Sequence, residues 1–91
     1  MYDVRYDSKF KKDFKRIKKR GYDMELLQKV LVTLRAGEEL DERHKDHPLI
    51  GNYIGYRECH IKPNWLLIYK IDPEHNKLEL TRTGTHSDLF D

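Results

Sequence analysis

Glu58 and His60 stand two residues apart in the run GYRECHIKPNW, residues 55–65. Residues 54–61 read as a β-strand, and alternate side chains of a strand share a face. Tyr56, Glu58 and His60 therefore fall on one side, with Arg57, Cys59 and Ile61 on the other. Cys59 and Ile61 suit a core. A face lined by a carboxylate and an imidazole is costly to bury, so it is expected to be left bare of helices and open to chemistry. Two more imidazoles come from segments that could converge on it: His47, before Pro48, and His86, after the last strand and close to Arg82 and Phe90. Imidazoles and a carboxylate can move protons near neutral pH. A guanidinium can clamp a phosphate.

The same imidazoles raise a rival, a three-histidine metal hydrolase. His44 and His47 form an H-x-x-H pair, but in a segment that reads as a loop, and no paired-cysteine pattern supports zinc. No metal and no cofactor are expected. Cys59, the one cysteine, has no base on its own face and reads as a buried thiol.

The elements that must position these groups follow from periodicity. Residues 2–6 alternate apolar and polar, as in a short strand. Asp7 or Ser8 can cap a first helix in which Phe10, Phe14 and Ile17 make a narrow apolar stripe, stopped by Gly21. Asp23 can cap a second helix over 24–36, with Leu27, Val30, Leu31 and Leu34 buried and Gly37 at its end. Residues 38–52 read as an irregular loop with room for a short strand. Three strands follow, at 54–61, 65–71 and 77–83; WLLIYKI is apolar enough to be central. THSDLFD reads as a turn or short helical end. The order β-α-α-β-β-β predicts an α+β fold, two helices on one face of a mostly antiparallel four-stranded sheet, and a single domain over 1–91.

Charge separates along the chain. Residues 1–37 hold 11 Lys and Arg against 5 Asp and Glu, whereas residues 38–91 hold 7 against 11. A basic lobe on a small domain suggests a polyanionic partner, with a solvated helix face as the plainer reading. No apolar stretch could span a bilayer and no signal-peptide pattern opens the chain. A cytoplasmic location, with no membrane partner, is the expectation.

The segments KDHPLIGN, GYRECHIKPNW and LTRTGTHSDLF, taken in order and spacing, resemble the YafQ-like branch of the RelE/ParE superfamily of bacterial toxins. The resemblance covers nearly the whole chain. It implies a RelE-like fold and a type II toxin–antitoxin toxin: a metal-independent endoribonuclease that cleaves mRNA, typically on the ribosome. It implies a cognate antitoxin, mRNA and the ribosome with its rRNA as partners. It also implies an active site holding His47, Glu58, His60, His86 and Arg82, with Phe90 stacking on a base. Relatives carry Asp where this chain has Asn64; an amide can position a substrate but cannot exchange a proton. Lys11, Lys15 and Lys18 of the basic helix are expected to reach RNA phosphates. The products would carry a 2′,3′-cyclic phosphate and a 5′-hydroxyl. The alternatives are a non-catalytic, antitoxin-binding co-repressor and the metal hydrolase.

Overall fold

A computed structural model describes Met1–Phe90. Its elements are β1 (Asp3–Tyr6), α1 (Ser8–Lys19), α2 (Met24–Arg35), β2 (His47–Pro48), β3 (Arg57–Lys62), β4 (Trp65–Asp72), β5 (Lys77–Gly84) and α3 (His86–Phe90). Single 3-10 turns at Glu42–His44 and Gly51–Tyr53 flank β2. The sheet order is β1-β5-β4-β3-β2, parallel between β1 and β5 and antiparallel elsewhere. The α+β order is as expected. The sheet has five strands rather than four, because His47 and Pro48 pair with Glu58 and Arg57.

Local chemistry sets the helix ends. Asp23 caps α2 by accepting the Glu25 backbone N–H at 3.0 Å. Asp7 precedes α1 without a side-chain cap. At the end of α1, Gly21 takes φ +81° while its N–H bonds Lys18 and that of Tyr22 bonds Ile17. This closes a Schellman motif, whose left-handed residue is glycine for want of a Cβ clash.

α1 and α2 cover one face of the sheet. Phe10, Ile17, Leu27, Val30 and Leu34 pack there with Cys59, Ile61, Trp65, Leu67, Tyr69, Leu78 and Leu80. The buried stripe of α1 is Phe10, Asp13 and Ile17 rather than Phe10, Phe14 and Ile17; Phe14 is half-buried. The opposite face is not bare. Leu66 and Ile68 are fully buried there beneath Leu89 of α3, with Leu49, Tyr53 and Tyr56 at the margin. Of the fifteen buried apolar residues described, twelve serve the helix-side core and three form a second, smaller cluster that closes the far side. No helix among the described residues is long and apolar enough to cross a membrane.

Candidate active site

β3 carries the centre of the site. Its alternation holds: Cys59 and Ile61 enter the helix-side core, while Glu58 and His60 occupy the other face. Glu58 is 7% exposed. The β2–β3 register sets His47 directly opposite Glu58, and His47 Nε2 lies 3.3 Å from Glu58 Oε1. His60 Nε2 lies 3.6 Å from the same oxygen. Each imidazole turns its other nitrogen to a backbone carbonyl: His47 Nδ1 is 3.0 Å from Pro48 O, and His60 Nδ1 is 3.2 Å from Pro63 O. A carbonyl only accepts, so each Nδ1 donates and each Nε2 is the nitrogen free to exchange a proton with the carboxylate.

His47 is held there by Asp46. The Asp46 carboxylate accepts from Arg57 Nε and Nη2, both at 2.7 Å, and from the Tyr69 hydroxyl. Burial and the Asp46 carboxylate push the Tyr69 phenol well above its usual range. Asp46 and His47 thus straddle the sheet edge, one fastened to the helix side and one facing Glu58.

Arg82 reaches the site face through a bulge. Leu80 pairs with Tyr69 and Arg82 with Ile68, leaving Thr81 as the extra residue. A bulge reverses the alternation beyond it. Arg82 is thereby in one cross-strand row with Ile68 and Glu58, two strands away, or about 9.6 Å between backbones. Asp13 of α1 accepts from Arg82 Nε at 2.6 Å and Nη2 at 3.1 Å. This pairing holds the guanidinium more firmly protonated than usual.

α3 is built by a capping box. Asp88 N–H donates to Thr85 Oγ1 at 3.1 Å, and Thr85 N–H donates to Asp88 Oδ2 at 2.9 Å. Gly84, at φ +149°, admits the close approach: a Cβ there would meet Asp88 Oδ2 at 2.8 Å. Arg20 forks onto Asp88 at 2.7 and 3.0 Å, and Arg16 lies 3.4 Å from it. The Arg20 bond holds the Asp88 carboxyl far below the usual range.

The structure joins His47, Glu58 and His60 but not all three imidazoles. His86 is exposed on α3, its ring 4.8 Å from that of Phe90, and Tyr53 meets Phe90 edge-on at 6.1 Å. Phe90, 40% exposed, ends this aromatic row, open for stacking. Asn64 is exposed in the β3–β4 turn, next to the carbonyl that fixes His60. Lys11 and Lys15 flank the groove between α1 and α2, beside Met24, Leu27 and Leu31, while Lys18 lies with Lys12, Arg16 and Lys19. The face of α1 turned to the site instead carries Asp13, Arg16 and Arg20. His44 is not part of the donor set around His47, which comprises Glu58 and His60; its Nδ1 bonds the His60 carbonyl at 2.7 Å. Burial raises the Cys59 thiol far above its ordinary value, as its reading as inert requires.

Donor atoms of His47, Glu58 and His60 lie within 4.8 Å of one another, so this set could also grip a metal ion. The set differs from the three imidazoles suggested by sequence, because Glu58 takes the place of His86. Asp13, Asp46 and Asp88 were not among the sequence candidates. The signal for Asp13 was present: a lone acid among eight cations, three residues from Phe10 and four from Ile17, at a core position.

The site thus sets, on a small α+β fold, two imidazoles on one carboxylate oxygen, a guanidinium paired with a buried carboxylate and an exposed aromatic ring. Residues 2–91 match the family model described as the bacterial toxin of type II toxin–antitoxin system, YafQ, and the chain belongs to that family. It is 43% identical over 90 residues to the mRNA interferase toxin YafQ of Escherichia coli (strain K12), covering 97% of this chain and 95% of that protein. Among solved structures it resembles a metal-bound toxin from Helicobacter pylori, with 44% identity, TM-score 0.93, and 99% and 100% of the two chains covered. It also resembles the toxin in the E. coli DinJ–YafQ complex, with 39% identity, TM-score 0.89 and full coverage of both chains.

Proposed function

We infer that this chain is an mRNA interferase, an endoribonuclease toxin neutralised by a cognate antitoxin in the cytoplasm. The observation that carries the chemistry is the single Glu58 oxygen shared by two imidazole Nε2 atoms. RNA cleavage by its own 2′-hydroxyl needs a base for that hydroxyl, an acid for the leaving 5′-oxygen and positive charge at phosphorus. His60, backed by Glu58, is the base. The protonated imidazole is stabilised by the adjacent carboxylate as it forms. Attacking and leaving oxygens stand on opposite sides of phosphorus, so the acid must stand apart from the base. His86 on α3, outside the Glu58 cluster, fits that requirement better than His47, the other candidate, which shares the Glu58 oxygen with His60. Arg82 clamps the phosphate, and Phe90 stacks on a base. Asn64 positions the ribose without exchanging a proton. The products carry a 2′,3′-cyclic phosphate and a 5′-hydroxyl. Lys11, Lys15 and Lys18, remote from the histidines, contact rRNA phosphates when the toxin sits on the ribosome, and this contact weakens with salt.

A metal ion on His47, Glu58 and His60 would supply Lewis acidity, but it would also occupy the Nε2 lone pairs that the acid–base route uses. The test is cleavage of translated message in excess chelator by the native protein and by His47→Gln, His60→Gln and His86→Gln. Full activity in chelator, lost in the variants, is expected. Loss on chelation with recovery on zinc would favour the hydrolase. Undiminished rates in all three variants would leave a co-repressor without catalysis.

A further inference from the structure

We propose that Asp13 is a positioning residue for cleavage: it sets the plane of the Arg82 guanidinium and hence the direction from which Arg82 meets phosphate. The inference rests on the clamp role given to Arg82 above. Asp13 is a carboxylate 1% exposed at a core position of the most basic helix. An unpaired charge so placed is very costly, and an apolar residue would pack between Phe10 and Ile17 without that cost. Its partners show what the carboxylate accomplishes. It takes the Nε and Nη2 of Arg82 in a two-bond fork, at 2.6 and 3.1 Å. It also accepts the Thr83 backbone N–H at 3.1 Å. Thr83 is itself fully buried, accepting from Trp65 Nε1 at 2.9 Å and donating to the Leu66 carbonyl at 2.8 Å. The carboxylate is therefore registered on the β5 backbone, and the guanidinium on the carboxylate.

Two parallel bonds fix a plane as well as a distance. Nε is consumed, and the Nη1 donors and one Nη2 hydrogen remain for a ligand. Without Asp13 the same charge stays on the site face, but on a side chain free to swing. Arg16 bridges the two carboxylates, with Nη2 3.6 Å from Asp13 and Nη1 3.4 Å from Asp88. The ion pair also fastens α1 to β5, so its effect on rate must be separated from its effect on stability.

The experiment is a double-mutant cycle of Asp13→Asn and Arg82→Ala, read by single-turnover cleavage of a defined message on bacterial ribosomes. Toxin concentration is varied, and the temperature stays below the onset of unfolding of the least stable variant. Asp13→Asn is expected to lower the maximal rate about ten- to a hundredfold, as displacement of a catalytic group by about 1 Å does, with little change in the half-saturating toxin concentration. In the Arg82→Ala background it is expected to have no further effect. Full additivity, or a native rate for Asp13→Asn beside an inactive Arg82→Ala, would overturn the role of Asp13 alone. A native rate for Arg82→Ala would overturn the clamp itself. Should Asp13→Asn fail to fold, Arg82→Lys keeps the charge and loses the fork. A rate near that of Arg82→Ala is expected for it, and a native rate would refute the need for an oriented plane.

Discussion

Replacing Glu58 with glutamine keeps the volume and removes one charge. The carboxylate is 9% exposed at its side chain and sits 3.3 and 3.6 Å from two imidazole nitrogens. At an effective dielectric constant of about 20, unit charges about 3.6 Å apart, as for the base His60, attract by roughly 4.6 kcal/mol. The His60 side chain is 25% exposed, so water screens part of this. About half, roughly 2–3 kcal/mol, is left to favour the imidazolium that forms as the 2′-hydroxyl proton is taken, a rate factor of roughly 30 to 150. Stability should move little or rise, because a nearly buried carboxylate no longer has to be desolvated. Single-turnover cleavage and thermal unfolding of Glu58→Gln measure both. A rate within about threefold of native would refute the reasoning, since that corresponds to well under 1 kcal/mol of barrier. So would a slow variant that proves to be unfolded.

Asp46→Ala should free β2 and cost about tenfold or more in rate, with His47 no longer held on Glu58; amide exchange at Leu49, whose N–H bonds the Tyr56 carbonyl at 2.9 Å, reports the loosening independently. Asp88 has its folded carboxyl depressed by Arg20, so its stabilisation is complete above the ordinary carboxylate range and is lost as pH falls below about 4 toward the folded value. Unfolding measured across pH should show Asp88→Asn with a flatter acid limb than the native chain. Cys59, buried with its thiol raised, should resist a thiol reagent at neutral pH in the folded protein and react on unfolding. Leu67→Ala, at a fully buried position of the central strand, should cost about 2–5 kcal/mol in urea unfolding without changing the chemistry of the site.

Periodicity carried the reading wherever an element was long enough to show it. The turn at Gly21, the cap at Asp23, the stripe of α2 (with Leu31 half-buried rather than buried) and the split of β3 into a Glu58/His60 face and a Cys59/Ile61 face all follow from residue type and spacing. His47–Pro48 has only two residues, one of them proline, so no alternation could mark it as a strand. The face of Arg82 was not readable from alternation either, because the bulge at Thr81 inverts it. Asp13 and Arg82 stand 69 residues apart, and their pairing exists only once α1 lies along β5. The far face was expected to be bare, yet Leu89 in a five-residue helix covers Leu66 and Ile68. That short helix also sets the place of His86, outside the His47/Glu58/His60 cluster: its position follows α3, which Arg16 and Arg20 tie to α1 through Asp88.

The identity of the attacking group can be read directly. A message with a single 2′-deoxy sugar on the 5′ side of the scissile phosphate is placed on the ribosome with the native protein and its cleavage compared with the all-ribose message. No cut at that phosphate, and a 2′,3′-cyclic end on the all-ribose product, is the predicted result. Cleavage of the deoxy substrate at an undiminished rate would mean that water attacks, and that the groups around Glu58 serve some other chemistry.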